Sequence, residues 1–277
     1  MKKIGFLGPK GTFSQEAMLE YTRNLEYTAY DYSTIPDMLY AVRDMVLDEA
    51  VVPIENSIEG AVNVTMDMMA GEVDLQIKAE LAIAINQNLL VKSGTRSEDI
   101  KCIISHPQPI GQCRKYLSAN FPAAEIKYVY STAGAAEEVA GRNGDCAAVG
   151  SAIAAEVYKL EILSRGIQDS KNNYTRFVVI SLKDSERTGS DKTSIVFSTE
   201  DKPGSLYRVL DIFNLWDINM TRIESRPAKN ELGRYIFFVD ISGHRDDEDI
   251  RDALTMIRRK ASFFKFLGSY PGWKAGN

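Results

Sequence analysis

Along the first two thirds of the chain, short apolar runs alternate with amphipathic stretches of helical period. Residues 3–7 have the pattern of a buried strand, and Gly8-Pro-Lys-Gly11 turns it into a helix opened by Thr12, with Gln15 placed to complete a capping box. A second helix is expected from Thr34, with Pro36 in its first turn and Met38, Leu39, Val42 and Met45 or Val46 as its apolar stripe. The run Ala50-Val-Val-Pro-Ile ends in Glu55, Asn56 and Ser57, ahead of a helix carrying Val62, Met66 and Met69. Between 75 and 91 the apolar pattern is too long for one strand, and it marks the crossing into a second lobe. There the expected strands at 101–105, 126–130 and 145–149 are followed by helices at 110–117, 132–140 and 151–158. Such alternation predicts an α/β sheet.

The rhythm changes after residues 183–192, which hold no large apolar side chain and have the composition of a solvated linker. Beyond them come a strand at 194–198 and a helix opened by Pro203-Gly204-Ser205, with Leu206, Val209, Leu210 and Phe213 on one face. Strands at 218–224 and 235–241, a helix marked by Ile250, Leu254 and Ile257, and a last strand at 263–267 complete a βαββαβ order, the ferredoxin-like split unit.

With 277 residues, 44% of them hydrophobic, the chain has material for two domains. A formal net charge of −5 makes nucleic acid and anionic membrane poor partners, though it leaves room for a local pocket that takes an anionic metabolite. Cys102, Cys113 and Cys146 are odd in number and lack metal-type spacing, so they read as reduced packing residues. Neither a signal-peptide core nor a run of about 18 apolar residues is found, and a soluble, cytoplasmic protein is expected.

In open α/β sheets the residues just past strand carboxyl ends line the binding crevice. By position this nominates Glu55 and Asn56, for which a cap-and-turn role is the alternative. It also nominates Ser105-His-Pro-Gln-Pro-Ile-Gly-Gln-Cys113, where Ser105 offers a hydroxyl, His106 an imidazole, and Gln108 and Gln112 amides. The polar hexapeptide at 172–177, which holds Asn173, Thr175, Arg176 and Phe177, runs straight into Val178-Val-Ile180, so its strand presents a polar end to a cleft. Helix starts at Thr12 and Thr132, with Lys10 and Arg176, are candidate anion donors. No P-loop, Gly-x-Ser-x-Gly elbow, His-x-x-His or Cys-x-x-Cys occurs, which weakens nucleotide, covalent-hydrolase and metalloenzyme readings. His244 reads as a loop residue.

Taken together, Gly8-Pro-Lys-Gly-Thr-Phe-Ser14, Val52-Pro-Ile-Glu-Asn-Ser57, Ser105-His-Pro-Gln-Pro109 with Gln112-Cys113, Asn173-Tyr-Thr-Arg-Phe177, Pro203-Gly-Ser-Leu206 and Glu224-Ser-Arg-Pro227 resemble the monofunctional prephenate dehydratases with a carboxyl-terminal ACT regulatory domain. The resemblance runs from Met1 to about Trp273. It implies a two-lobed catalytic domain built like the solute-binding proteins over 1–182 (lobes 1–78 plus 174–182, and 79–173), a linker at 183–192 and an ACT domain at 193–272. It implies conversion of prephenate to phenylpyruvate without metal or organic cofactor. Thr175, Glu55, Asn56 and Gln112 are then the expected catalytic residues, and Lys10, Thr12, Ser105, His106, Thr132, Asn173, Arg176 and Phe177 the substrate-binding ones. L-Phenylalanine is the implied allosteric inhibitor, held by Gly204, Ser205, Leu206, Asn219, Glu224, Ser225, Arg226 and Pro227 in a homodimer or dimer of dimers. The helix start reads Gly204-Ser-Leu-Tyr207 where the family usually has Gly-Ala-Leu-Val. An arogenate dehydratase and a non-catalytic amino-acid sensor are the rival readings.

Overall fold

The computed structural model describes residues 1–228 and 234–273. In chain order the first elements are β1 (Lys2–Leu7), α1 (Phe13–Thr22), β2 (Tyr27–Tyr32), α2 (Ile35–Arg43), β3 (Glu49–Asn56), β4 (Gly60–Ala61), α3 (Asn63–Asp67), a π-helical turn Met68–Glu72, and β5 (Gln76–Ala84). Next come β6 (Asn88–Val91), β7 (Cys102–Ser105), α4 (Pro107–Gln112), α5 (Arg114–Asn120), β8 (Glu125–Tyr128), α6 (Thr132–Gly141), β9 (Cys146–Gly150), α7 (Ala152–Tyr158), β10 (Glu161–Ser164) and β11 (Tyr174–Ser181). The last part holds β12 (Asp191–Ser198), α8 (Ser205–Leu215), β13 (Met220–Pro227), β14 (Tyr235–Ser242), α9 (Glu248–Lys260) and β15 (Phe263–Pro271).

Three sheets result. One has the order β2-β1-β3-β11-β5 with β4 beside β3, and the second has the order β10-β6-β9-β7-β8. In the second, β7 runs parallel to β8 and β9 while β6 is antiparallel to β9 and β10. Its central strands are buried on both faces: Ile103 and Val149 belong to one apolar cluster, Ile104 and Ala148 to the other. This is the period-two signature of a strand covered on both sides. The third sheet, β13-β14-β12-β15, is antiparallel, and α8 and α9 pack Val209, Phe213, Ile250 and Ile257 onto Ile195, Phe197, Val239 and Ile241. The fold is therefore α/β with a βαββαβ unit at its carboxyl end.

Contacts divide the chain into two compact units, Met1–Met38 with Val51–Asn63 and Leu81–Phe177, and Leu39–Ala50 with Val64–Glu80 and Val178–Asn277. In the second unit the 64–80 segment is bound to the βαββαβ sheet by ion pairs Arg226–Asp67 (2.8 Å) and Lys192–Glu80 (2.6 Å) and by the Trp273 N–H donating to Glu80 Oε1 (2.8 Å). Backbones meet closely there. At Gly268, with φ 140°, an added Cβ would lie 2.2 Å from the Ile77 carbonyl oxygen, so only glycine fits.

Some elements differ from expectation. Met45 and Val46 lie beyond α2 and are 77% and 54% exposed, because the chain turns at Met45 (φ 59°) before the stripe can continue. The expected 110–117 helix is two helices that meet at Cys113. β2 went unpredicted, since Tyr-Thr-Ala-Tyr-Asp-Tyr at the sheet edge is mostly exposed and has no apolar alternation to read. The long apolar stretch is β5 and β6 in different sheets, parted at Asn86 and Gln87. Among the described residues no helix is long and apolar enough to cross a membrane.

Candidate active site

A cavity of ≈500 Å³ opens within the first unit where the ends of β3 and β11 meet the amino termini of α1 and α6. Its polar wall is organised by Asn56. Asn56 Oδ1 accepts from the N–H groups of Ile58 (2.9 Å) and Glu59 (3.0 Å), an Asx-type turn that fixes which side of the amide is oxygen. Asn56 Nδ2 must therefore face the other way, and it donates to Thr175 Oγ1 (2.9 Å) and Asn173 Oδ1 (2.8 Å). Asn173, 2% exposed, in turn donates through Nδ2 to Gln112 Oε1 (3.3 Å). One anchored amide thus orients the whole row.

The consequence is a pair of donors aimed at the cavity. Thr175 Oγ1 accepts from Asn56, and among the described residues its own proton goes to no partner. Gln112, with its oxygen accepting from Asn173, has Nε2 left over in the same way. The adjacent Cys113 is no nucleophile, since burial, and then the nearby Asp169 carboxylate, push its thiol up to about 12.

Two helix starts add backbone donors. Thr12 caps α1, accepting from Gln15 N (3.4 Å) and donating to the Leu7 carbonyl (3.0 Å), so its hydroxyl is spent and the first-turn N–H groups are what it leaves to the cavity. Gln15 Oε1 reaches the Gly11 N–H (2.6 Å) in place of the capping-box N–H. For α6 the cap is Ser131, which accepts from Gly134 N (2.9 Å), with Thr132 as the first helical residue. Both are ten-residue helices, and both N-termini favour negative charge.

Thr12, His106, Gln112, Thr132, Asn173, Thr175 and Phe177 line the cavity together with Asn56. Four expected residues do not. Ser105 is fully buried and donates its hydroxyl to the Val149 carbonyl (2.7 Å), a strand-to-strand bond inside the second sheet. Lys10 is exposed, and its carbonyl accepts from Tyr158 (3.2 Å). Glu55 and Arg176 pair with each other at 3.3 Å. Arg176 is next to Thr175 on β11, and successive strand residues point to opposite faces. No lysine or arginine lines the cavity among the described residues, so anion binding there falls to helix starts and amides. Ser131, Phe13, Tyr130 and Gln87 also line it, unforeseen. Two capping-type residues in a row hid Ser131 behind Thr132, whereas Asn86-Gln87-Asn88 was a legible polar interruption of an apolar run.

In the carboxyl-terminal unit Gly204 (φ 78°) precedes α8, Ser205 N donates to the Lys202 carbonyl, Leu206 packs on the core, and the Asn219 carbonyl accepts from Ser242 N. Glu224, Ser225, Arg226 and Pro227 lie on β13, where strand alternation puts Glu224 and Arg226 on one face and Ser225 on the other. Arg226, expected to contact an effector, is engaged with Asp67. His244 sits in a loop yet is 2% exposed. Among the described residues no group of three or more His, Cys, Asp or Glu could hold a metal.

A family model described as prephenate dehydratase matches residues 4–185, and one described as ACT domain matches residues 193–255. Over 270 residues the chain is 44% identical to a bifunctional chorismate mutase/prephenate dehydratase of Aquifex aeolicus (strain VF5), covering 97% of this chain and 73% of that protein. It is also similar to the solved prephenate dehydratase from Arthrobacter aurescens in complex with L-Phe, with a TM-score of 0.89 at 35% identity, covering 98% of this chain and 90% of that one. A chain described as a novel type of quorum quenching acylase matches with a TM-score of 0.88 at 29% identity over 98% of each.

Proposed function

The chain belongs to the prephenate dehydratase family and carries an ACT domain, and from that premise we propose that its cavity converts prephenate to phenylpyruvate, carbon dioxide and water. The observation that carries this reading is Thr175, held as an acceptor by Asn56 so that its proton is left for a ligand. Prephenate is a dianion. Its two carboxylates suit the starts of α1 and α6, where backbone N–H groups and helix dipoles stand in for cationic side chains. In the reaction the ring loses its carboxylate as carbon dioxide, and the electron pair of that bond completes the aromatic ring. The carbon–oxygen bond breaks at the same time, and the departing hydroxyl takes up one proton to leave as water.

Thr175 donates a hydrogen bond to that oxygen, and Gln112 Nε2 and Asn173 fix the substrate beside it. A threonine hydroxyl is too weak an acid to be the final proton source, so the proton comes from solvent through Thr175. This path leaves out Glu55, which is paired with Arg176 and does not line the cavity.

Catalytic residues 1–182, a linker at 183–192 and an ACT domain at 193–272 divide the labour in a cytoplasmic enzyme. L-Phenylalanine binds the ACT domain at the Gly204–Leu206 turn and inhibits, a reading supported by the L-Phe complex of the Arthrobacter relative. β13 is an edge strand of its sheet among the described residues, and two copies pair through it to give at least a dimer. Incubating the purified chain with prephenate should yield phenylpyruvate. Phenylalanine should bind at about one per chain and lower the rate, with a coupling of about 1–3 kcal/mol. Faster turnover of arogenate would move the substrate assignment, and no turnover of either would overturn the enzyme reading.

A further inference from the structure

Ser151 is fully buried, and its hydroxyl serves two elements at once: it accepts from Ala154 N (3.1 Å), capping α7, and donates to the Gly11 carbonyl (2.7 Å). At the far end of α7 the Tyr158 hydroxyl donates to the Lys10 carbonyl (3.2 Å). Packing is tight between these bonds, since a Cβ added to Gly11 (φ 88°) would lie 3.1 Å from Ala154 Cα and 3.1 Å from Tyr158 Cε2. The turn between β1 and α1 is thus seated on α7, the helix that follows β9 of the other sheet. The Gly11 N–H is held in turn by Gln15 Oε1 (2.6 Å). Among the described residues α7 puts no side chain in the cavity wall, whereas Thr12, Phe13 and Ser14, directly after the seated turn, all line it.

Resting on the dehydratase reading, we propose that Ser151 is a positioning residue for the reaction, which with Tyr158 sets the start of α1 at the angle where it receives a substrate carboxylate. The Gly11 carbonyl and the Thr12 N–H belong to one trans peptide and point in opposite directions, so drawing the carbonyl onto α7 turns that N–H away from α7. Among the described residues the N–H groups of Thr12, Phe13 and Ser14 make no hydrogen bond within the protein, and they are the donors this helix start has to offer. Hydrogen bonds weaken steeply as their angle is lost, and no lysine or arginine among the described residues lines the cavity to make up for a misplaced helix. Ser151 touches no substrate. It acts through the Gly11 peptide.

The test is kcat, KM and thermal midpoint for Ser151→Ala, Ser151→Thr and Tyr158→Phe. Ser151→Ala also removes the α7 cap, so its midpoint falls whatever the hydroxyl does for the site. The discriminating quantity is KM. Because the carboxylate is held before the reaction and through it, Ser151→Ala should raise KM about tenfold with kcat within about threefold of wild type. Ser151→Thr restores the donor, and although its extra methyl in a fully buried place lowers the midpoint, KM should return to within about twofold of wild type. Tyr158→Phe keeps the ring and the cap and should raise KM about two- to threefold. A KM that follows the midpoint across the variants would overturn the inference, and so would a wild-type KM in Ser151→Ala, or in Tyr158→Phe should Ser151→Ala fail to fold. A wild-type chain inert to prephenate would sink the dehydratase reading and this inference with it, whereas the other outcomes overturn the inference alone.

Discussion

The cavity of the first unit and the contact between the 64–80 segment and the ACT sheet in the second are both rich in buried polar groups, but they use them in opposite ways. At the ACT contact three cations meet protein partners: Arg226 with Asp67, Lys192 with Glu80, and the Lys265 ammonium with the Val73 carbonyl. In the cavity the same kind of bookkeeping leaves remainders, namely the Thr175 proton, Gln112 Nε2 and two helix starts. Polar groups consumed by one another hold a surface together. Those oriented by the protein yet left unconsumed are available to a ligand, and this contrast separates structural from functional polarity here.

The sharpest way to break the contrast is Asn56→Asp. The aspartate still accepts from Ile58 and Glu59, but it cannot donate to Thr175 or Asn173, and it adds a negative charge where a dianion must bind. Steady-state assays should show a loss of about 10²–10³ in kcat/KM, with the thermal midpoint nearly held. Asp67→Ala should do the reverse. Removing one partner of a fully buried pair costs about 3–5 kcal/mol, and because these side chains are 18% and 17% exposed the expected loss is about 2–3 kcal/mol in denaturant unfolding, with kcat of the folded enzyme retained.

Much of this was legible in the chain, for physical reasons that also mark where legibility stops. The strand–helix alternation and the βαββαβ order follow from apolar periodicity, which tertiary packing reinforces in strands such as β7 and β9 that are covered on both faces. Thr12, Asn56, Gln112, Thr132, Asn173 and Thr175 could be placed at one site because strand ends and helix starts share the crevice. Side-chain direction was not legible. Arg176 beside Thr175, and Glu55 beside Asn56, look equally good by position, and only the strand pleat and the ion pair between them take both away from the cavity. Ser105 was lost for a similar reason, since a hydroxyl at a strand end can turn inward to a neighbouring carbonyl.

The smallest predicted effect lies outside both regions. Burial, with help from Glu20 and Glu156, raises the pKa of Glu16 above its ordinary 4.5, so the folded chain binds that proton more tightly than the unfolded one. Stability is then lost as pH rises from 4.5 through the raised value. Glu16→Gln should be slightly more stable than wild type at about pH 7, and the difference should vanish below the ordinary carboxylate range; urea midpoints at the two pH values measure it.

The oriented but unconsumed proton of Thr175 is tested most directly by Thr175→Val, which swaps the hydroxyl for a methyl at nearly constant volume. Prephenate turnover and thermal unfolding should be measured on the same preparation. The expected result is a fall in kcat of about 10²–10⁴ with an unchanged unfolding midpoint. A variant that keeps kcat within about threefold of wild type, far inside that range, would contradict the role of Thr175 as the donor to the leaving oxygen.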